Sequence, residues 1–253
     1  MRNCIILGSG RSGTSMVAGT LAKAGFLMGD NLLKAKNSNP KGFFEDREII
    51  RINEALLAQV LRTRPRLLGR WFFHSWPITG HRWLAEVPLD IDMPCSAELS
   101  LKMRDLTRRE PFCFKDPRFA YTLPAWRPLL KDSVYICVFR DPASTALSIL
   151  KLVKDHIAPI QKEHITFEQA LNTWTLTYRH ILERHRHEGT WLFVHFDQMF
   201  TREGLARFEA FVGVPVDHSF PEPSLRRSIS DHPVSTETLH TYKNICALAE
   251  YES

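Results

Sequence analysis

The chain opens with an apolar run, a glycine-rich turn and a segment of helical periodicity, in that order. Residues 4–7 (CIIL) have the composition of a buried strand, residues 8–13 contain three glycines, and residues 14–24 form a predicted helix that Gly25 ends. A strand that passes through a tight loop into a helix is typical of α/β domains. The loop amides and the positive end of the helix can bind a phosphate-like anion. The first turn is therefore a predicted anion site.

Strands and helices then alternate along the chain. The clearest strand is 134–139 (VYICVF), which has no polar alternation and so fits a central parallel strand. Asp141 is a predicted N-cap and Pro142 follows it at the first helical position. Shorter strands are predicted at 112–114, ending at Lys115, and at 191–196, with helices at about 44–62, at 96–109, and at 167–188 behind a capping box of Thr166 and Gln169.

This alternation predicts an α/β fold, a P-loop-like three-layer domain with a central parallel sheet and helices on both faces. We expect one domain over residues 1–253, with residues 216–253 weakly specified because Pro, Ser and His replace the periodic pattern there. The aromatic stretch 71–83 (WFFHSWPITGHRW) is interpreted as an insertion that lines a pocket or forms a small hydrophobic cluster. His185 and His187 are expected at a solvated helix end.

The composition narrows the function classes. Hydrophobic residues make up 44% and charged residues 24%, as in globular domains, which excludes collagen, coiled coil and disorder. The net charge of +5 suits an anionic ligand without requiring nucleic acid. Five scattered cysteines without a CxxC pair predict buried, reduced thiols, and no apolar run approaches the ~20 residues of a membrane span. We therefore expect a cytoplasmic protein with no membrane span and no nucleic-acid partner.

The loop GSGRSGTS at 8–15 nearly matches the nucleotide P-loop pattern GxxxxGK[ST]. Thr14 stands where that pattern has its lysine, and Arg11 places a cation inside the loop instead. An ATP or GTP hydrolase would lose its main phosphate-binding cation by this change. This change disfavours a P-loop-like nucleotide kinase or NTPase. Such an enzyme stays an alternative function, as does a catalytically silent nucleotide-binding module.

A second motif follows the central strand. Arg140 lies at the carboxyl end of 134–139, where α/β folds bind ligands, and Ser148 comes eight residues later. That spacing places Ser148 nearly two turns into the next helix, so its hydroxyl can reach the anion that Arg140 holds. The alternative is that Arg140 pairs with a carboxylate and Ser148 is an ordinary surface serine.

Together these two motifs resemble those of the sulfotransferases that use 3′-phosphoadenosine 5′-phosphosulfate (PAPS). The resemblance extends to 42–45 (GFFE) and 114–118 (FKDPR), which look like segments of bacterial and glycan-modifying members, and with 225–228 (LRRS) it spans about residues 3–228. The catalytic histidine and the C-terminal Arg-Lys-Gly of the aryl branch are missing, and Gly10 replaces a frequent proline. The resemblance assigns the 5′-phosphosulfate to Gly10, Arg11, Ser12, Gly13, Thr14 and Ser15, and the 3′-phosphate to Arg140 and Ser148.

The resemblance implies transfer of a sulfuryl group from PAPS to a hydroxyl of a carbohydrate, glycolipid or other metabolite, with adenosine 3′,5′-bisphosphate as product and no metal. Arg11 and Lys115 would stabilise the leaving phosphate, or else Lys115 is a solvated lysine at a strand end. Glu45 would be the general base, with Asp46 and His74 as substitutes, or else a first-turn carboxylate that complements the helix dipole. Arg226 and Arg227 would form a second clamp on the 3′-phosphate, or else a solvated basic pair. The acceptor and the oligomeric state stay open.

Overall fold

The computed structural model describes residues 1–37, 39–62, 77, 80–157, 165–225, 230 and 232–252. His74, Arg226, Arg227 and most of the aromatic stretch 71–83 lie outside these residues, so their predicted roles stay predictions.

A parallel sheet forms the centre of the described structure. Its four strands are β1 (Asn3–Leu7), β2 (Cys113–Lys115), β3 (Ser133–Phe139) and β4 (Thr190–His195). They lie in the order β2-β1-β3-β4, so that the two strands with site motifs at their ends, β1 and β3, are neighbours. Ile5 pairs with Tyr135 in the register of β1 and β3. Parallel neighbours end at the same edge, which brings the loop after β1 beside the residues after β3.

Each face of the sheet is covered by helices. Alternate strand residues point to opposite faces, so Ile5 and Leu7 belong to one hydrophobic cluster while Cys4 and Ile6 belong to another. The fold class predicted from the sequence is confirmed. The α-helices of the described residues are α1 (Thr14–Leu21), α2 (Arg47–Val60), α3 (Ala97–Leu106), α4 (Phe119–Trp126), α5 (Pro142–Leu152), α6 (Phe167–Arg179), α7 (Arg202–Val212) and α8 (Thr236–Ala249).

Local capping signals place several helix starts where the sequence predicts them. Asp141 accepts a hydrogen bond from the Ser144 amide at 2.7 Å, with Pro142 as the first residue of α5. The capping box of Thr166 and Gln169 is present at the start of α6. These caps satisfy backbone amides that a helix start otherwise leaves without partners.

Other boundaries differ from the prediction. α1 ends at Leu21 rather than at residue 24, and α2 begins at Arg47 rather than at 44 because Asp46 is its N-cap. α6 ends at Arg179 and continues as a π-helical turn, His180–His185. The sequence pattern also missed α8, which contributes Ile245, Cys246 and Ala249 to the core.

Two expectations about polar side chains are wrong. His185 is 2% exposed and its Nε2 lies 3.0 Å from the Ala120 carbonyl oxygen, so it is a core residue, whereas His187 is exposed as predicted. Cys95 is exposed, although the other four cysteines are buried free thiols. No helix in the described part of the chain is long and apolar enough to cross a membrane.

Candidate active site

The loop after β1 takes a conformation that needs its glycines and is fixed from outside by one tyrosine. Arg11 and Gly13 have φ angles of 71° and 97°, in the left-handed region. The buried Tyr178 hydroxyl donates to the Val138 carbonyl oxygen at 2.8 Å, accepts from the Ser9 amide at 3.2 Å, and lies 2.9 Å from Ser12 Oγ. Tyr178 therefore ties the loop to β3. The sequence pattern gave Tyr178 no role beyond its place in the predicted helix 167–188.

The first turn of α1 directly follows this loop and offers backbone N–H donors. The amides of Thr14 and Ser15 have no carbonyl partner among the described residues, as expected at a helix start, and the turn carries no acidic side chain. Such a turn has a partial positive charge and favours an anion. The predicted anion site therefore has donors available to bind an anion.

The side chains of the two sequence motifs meet at this turn. Arg11 Nε donates to Ser148 Oγ at 3.1 Å, which joins the loop to α5. Arg140 directly follows β3, is 7% exposed, and holds its guanidinium 4.7 Å from the centre of the Phe196 ring. Both arginines line a cavity of about 150 Å³, together with Gly13, Thr14, Ser15, Ser148, Lys41, Phe196, Phe200 and Phe220.

Lys115 and Glu45 form an ion pair beside the same turn. Lys115 ends β2 and is 1% exposed, so the alternative of a solvated strand-end lysine is wrong. Its Nζ donates to Glu45 Oε1 and lies 3.3 Å from Ser15 Oγ. The Ser15 hydroxyl in turn donates to the Phe43 carbonyl oxygen at 3.2 Å. The predicted base and the predicted leaving-group cation are thus in direct contact.

Asp46, a substitute base in the sequence analysis, has a structural role instead. Its Oδ1 accepts from the amides of Glu48 at 2.8 Å and Ile49 at 3.3 Å, and its Oδ2 accepts from the Asn31 amide at 2.8 Å. Both carboxylate oxygens are therefore committed to backbone donors, and the side chain is 2% exposed. Glu45, which precedes this cap, is the carboxylate that faces the site.

A buried charge network fixes the segment that follows Lys115. Arg118 donates from Nε to Glu54 Oε1 at 2.6 Å and from Nη1 to Asp116 Oδ2 at 3.1 Å, and Arg82 Nη1 donates to Glu54 Oε2 at 2.7 Å. Burial raises the pKa of Asp116 against the opposing effect of Arg118. Burial also raises the pKa of Glu54, but Arg118, the Gly80 amide and Arg82 offset this, and the net direction is down. No sequence pattern pointed to Glu54 or Arg82.

A second, larger cavity of about 590 Å³ also adjoins the first turn of α1. Glu45 and Lys115 line it, and Arg11 and Ser15 line both cavities. The predicted site residues thus fall into two overlapping sets. The smaller cavity is lined by Arg11, Gly13, Thr14, Ser15, Arg140 and Ser148. The larger cavity is lined by Gly10, Arg11, Thr14, Ser15, Glu45 and Lys115.

A sequence model of the sulfotransferase family matches residues 4–218, which is most of the chain. The chain belongs to the sulfotransferase family. No curated protein sequence matches this chain at a significant level.

One solved structure shows the same fold. The sulfotransferase domain from the Synechococcus PCC 7002 olefin synthase superposes with a TM-score of 0.52 at 16% identity, over 99% of this chain and 95% of that chain. The sulfotransferase STF9 from Mycobacterium avium gives a TM-score of 0.46 at 15% identity, over 97% of this chain and 68% of that one. At these identities the first likeness supports the fold alone.

Proposed function

We propose that the chain transfers a sulfuryl group from PAPS to the hydroxyl of an acceptor. The observation that carries this proposal is that Arg11 and Ser15 line both cavities, one with Arg140 and Ser148 and the other with Glu45 and Lys115. PAPS fits this arrangement because it carries a 3′-phosphate and a 5′-phosphosulfate, and its sulfuryl group would lie where the two cavities meet. The loop of a P-loop hydrolase would need a lysine at the position of Thr14.

The smaller cavity has the groups that a nucleotide bisphosphate requires. Arg140 and Ser148 would hold the 3′-phosphate, and Arg11 with the amides of Thr14 and Ser15 would hold the 5′-phosphosulfate. The rings of Phe196, Phe200 and Phe220 offer apolar faces for the adenine. The residues present therefore fit the donor.

The size of this cavity implies that part of its wall moves when the donor binds. Its volume of about 150 Å³ is below the ~300–1,000 Å³ of typical ligand sites. Lys41 closes one side, because its Nζ donates to the Phe220 carbonyl oxygen at 2.7 Å and lies 2.9 Å from Glu222 Oε2. We expect the donor to displace this contact, and we expect Arg226 and Arg227 to clamp the 3′-phosphate.

The reaction needs one proton acceptor and one stabiliser of negative charge. PAPS supplies an activated sulfuryl group when it is bound. Glu45 accepts the proton of the acceptor hydroxyl as the hydroxyl oxygen bonds to sulfur. Lys115 and Arg11 stabilise the charge on the phosphate oxygen as its bond to sulfur breaks, and adenosine 3′,5′-bisphosphate leaves. The Lys115 ammonium must therefore leave the Glu45 carboxylate, which frees that carboxylate to take the proton.

The test separates three functions. We expect calorimetry to show binding of adenosine 3′,5′-bisphosphate without a metal, and weaker binding of ATP and GTP with or without magnesium. We also expect labelled sulfate to move from PAPS to at least one compound in a screen of hydroxyl acceptors. Magnesium-dependent binding of ATP or GTP that exceeds the bisphosphate affinity would favour a kinase or NTPase, and bisphosphate binding without turnover would favour a silent binding module.

A further inference from the structure

The rim of the larger cavity carries cations that the proposed chemistry does not use. Lys34, Lys36 and Arg47 line this cavity and are exposed, and none of them forms a salt bridge with any residue that the structure describes. Lys41, on the neighbouring cavity, does have an acidic partner in Glu222. The three rim cations are therefore available to an anion that enters from solvent.

Deeper in the same cavity the charges compensate each other. Lys115 pairs with Glu45, and Arg118 pairs with Asp116 and Glu54. Glu45 is the acidic side chain among the lining residues that the structure describes. Apart from Arg11, which the donor would use, the excess positive charge of this cavity therefore comes from its rim.

His81 also lines this cavity. Burial, and to a lesser extent the charges of Arg118 and Lys36, lower its pKa to about 4 against the opposing effect of Glu54. The imidazole is therefore neutral at pH 7, and its Nδ1 is buried without a partner among the described residues. The neutral His81 side chain therefore adds no charge of its own to this cavity.

The same cavity has a large apolar wall. Trp83 packs against Gly10 of the loop, since a Cβ on that glycine would lie 2.5 Å from the Trp83 ring. An apolar wall next to a cationic rim fits an amphiphilic molecule, because each part of it would meet a surface of matching polarity. The apolar lining residues are Leu33, Phe43, Ile50, Trp83 and Leu152.

We infer that the acceptor carries, besides its hydroxyl and an apolar body, an anionic group such as a phosphate or carboxylate, which Lys34, Lys36 and Arg47 bind. This inference rests on the proposed function and names the substrate class of the same site. The rim cations do not line the cavity of Arg140 and Ser148, which argues that they serve the acceptor rather than the donor nucleotide.

The experiment compares a charged and an uncharged probe on enzyme saturated with adenosine 3′,5′-bisphosphate. Octyl phosphate and 1-octanol are titrated by calorimetry into the wild type and into the rim variant Lys34→Gln/Lys36→Gln/Arg47→Gln. The control variant, Lys131→Gln/Arg202→Gln/Lys243→Gln, removes the same charge from exposed positions outside both cavities. We expect the rim variant to bind octyl phosphate about tenfold more weakly or worse, as the sum of three exposed ion pairs.

The control variant should bind octyl phosphate nearly as well as the wild type, and 1-octanol should bind equally to all three proteins. The octyl phosphate affinity of the wild type should also fall with added salt. Any of three results would overturn the inference. The control variant could lose as much octyl phosphate affinity as the rim variant, the rim variant could lose 1-octanol binding, or the wild type could fail to bind octyl phosphate. Loss of bisphosphate binding in the rim variant would also overturn it, because the three cations would then bind the donor nucleotide. Failure of the proposed function has a different signature, namely no bisphosphate binding by the wild type.

Discussion

Nε of Arg11 donates a hydrogen bond to Oγ of Ser148 across 3.1 Å, between residues 137 positions apart in the sequence. The contact exists because β1 and β3 are neighbours in the sheet, so the loop after one strand lies beside the helix after the other. It places the two predicted anion-binding motifs together at one edge of the sheet. Donors that are already positioned lose less entropy when the ligand binds.

The first prediction concerns Arg140. We expect Arg140→Ala to weaken binding of adenosine 3′,5′-bisphosphate by about 1.5–3 kcal/mol, the range for hydrogen bonds to a charged group. Binding of adenosine 5′-phosphate, which lacks the 3′-phosphate, should change little. Calorimetry with both ligands measures the difference, and Arg202→Ala, an exposed arginine outside both cavities, is the control. Equal losses for both ligands would show that Arg140 does not bind that phosphate.

The second prediction concerns the base. Glu45→Gln keeps the size of the side chain but cannot accept a proton, so turnover should fall about 10²–10⁴-fold while bisphosphate affinity stays nearly constant. Asp46→Asn is the adjacent control. It keeps one oxygen for the cap of α2 but leaves the Asn31 amide without its acceptor, so the free energy of unfolding should fall by about 1–3 kcal/mol, with much less effect on turnover. The base would be misassigned if Glu45→Gln kept near-normal turnover while Asp46→Asn or His74→Ala was inactive.

The third prediction separates Lys115 from Glu45 by pH. Both Lys115→Ala and Glu45→Gln should lower turnover in assays of labelled sulfate transfer. Hydroxide partly replaces a missing base at high pH, so the defect of Glu45→Gln should shrink as pH rises. Hydroxide cannot replace a cation that stabilises a leaving phosphate, so the defect of Lys115→Ala should persist. A Lys115→Ala defect that disappears at high pH would contradict the assigned role.

Much of the fold could be predicted from local signals. The run VYICVF, the Asp141 cap and the capping box of Thr166 and Gln169 each act over a few residues, and the structure contains all three. The start of α2 was predicted too early because Asp46 and not Phe44 offers a side-chain cap. α8 was missed because its apolar positions are few and depend on packing against distant strands.

The site was partly predictable for a related reason. The loop and Arg140 adjoin strands, so their relative position follows from parallel pairing. The Glu54–Arg118–Arg82 network and the contacts of Tyr178 join residues far apart in sequence, and no local pattern encodes such contacts. For the same reason the burial of Lys115 could not be inferred from its place at the end of a short strand.

The fourth prediction concerns Gly13. Its φ of 97° is strained for any other residue, and a Cβ would lie 2.5 Å from the Phe196 ring that supports Arg140. Gly213 has a φ of 75°, and a Cβ there would meet nothing within 4 Å, so Gly213→Ala isolates the backbone strain of about 1–2 kcal/mol. Gly13→Ala should lower the free energy of unfolding by more than Gly213→Ala and should also weaken bisphosphate binding. Equal destabilisation of the two variants in denaturant titrations would remove the steric part of this argument.

The fifth prediction uses two histidines of one short segment. Burial lowers the pKa of His185 from 6.5 to about 4, with the charges of His180 and Arg127 acting in the same direction. The unfolded chain therefore binds a proton on His185 at a higher pH than the folded chain does. The stability associated with its neutral form is fully present above pH 6.5 and is lost as pH falls through 6.5 toward 4, by about 3 kcal/mol in all.

His185→Gln retains a side-chain donor for the Ala120 carbonyl oxygen but cannot titrate. Its free energy of unfolding should therefore fall less steeply between pH 6.5 and pH 4 than that of the wild type. The slope should decrease rather than vanish, because burial also lowers the pKa of His180. His187→Gln removes an exposed imidazole two residues away and should leave the wild-type slope unchanged. Denaturant titrations at a series of pH values test this pair, and a wild-type slope in His185→Gln would show that the buried imidazole does not control acid stability.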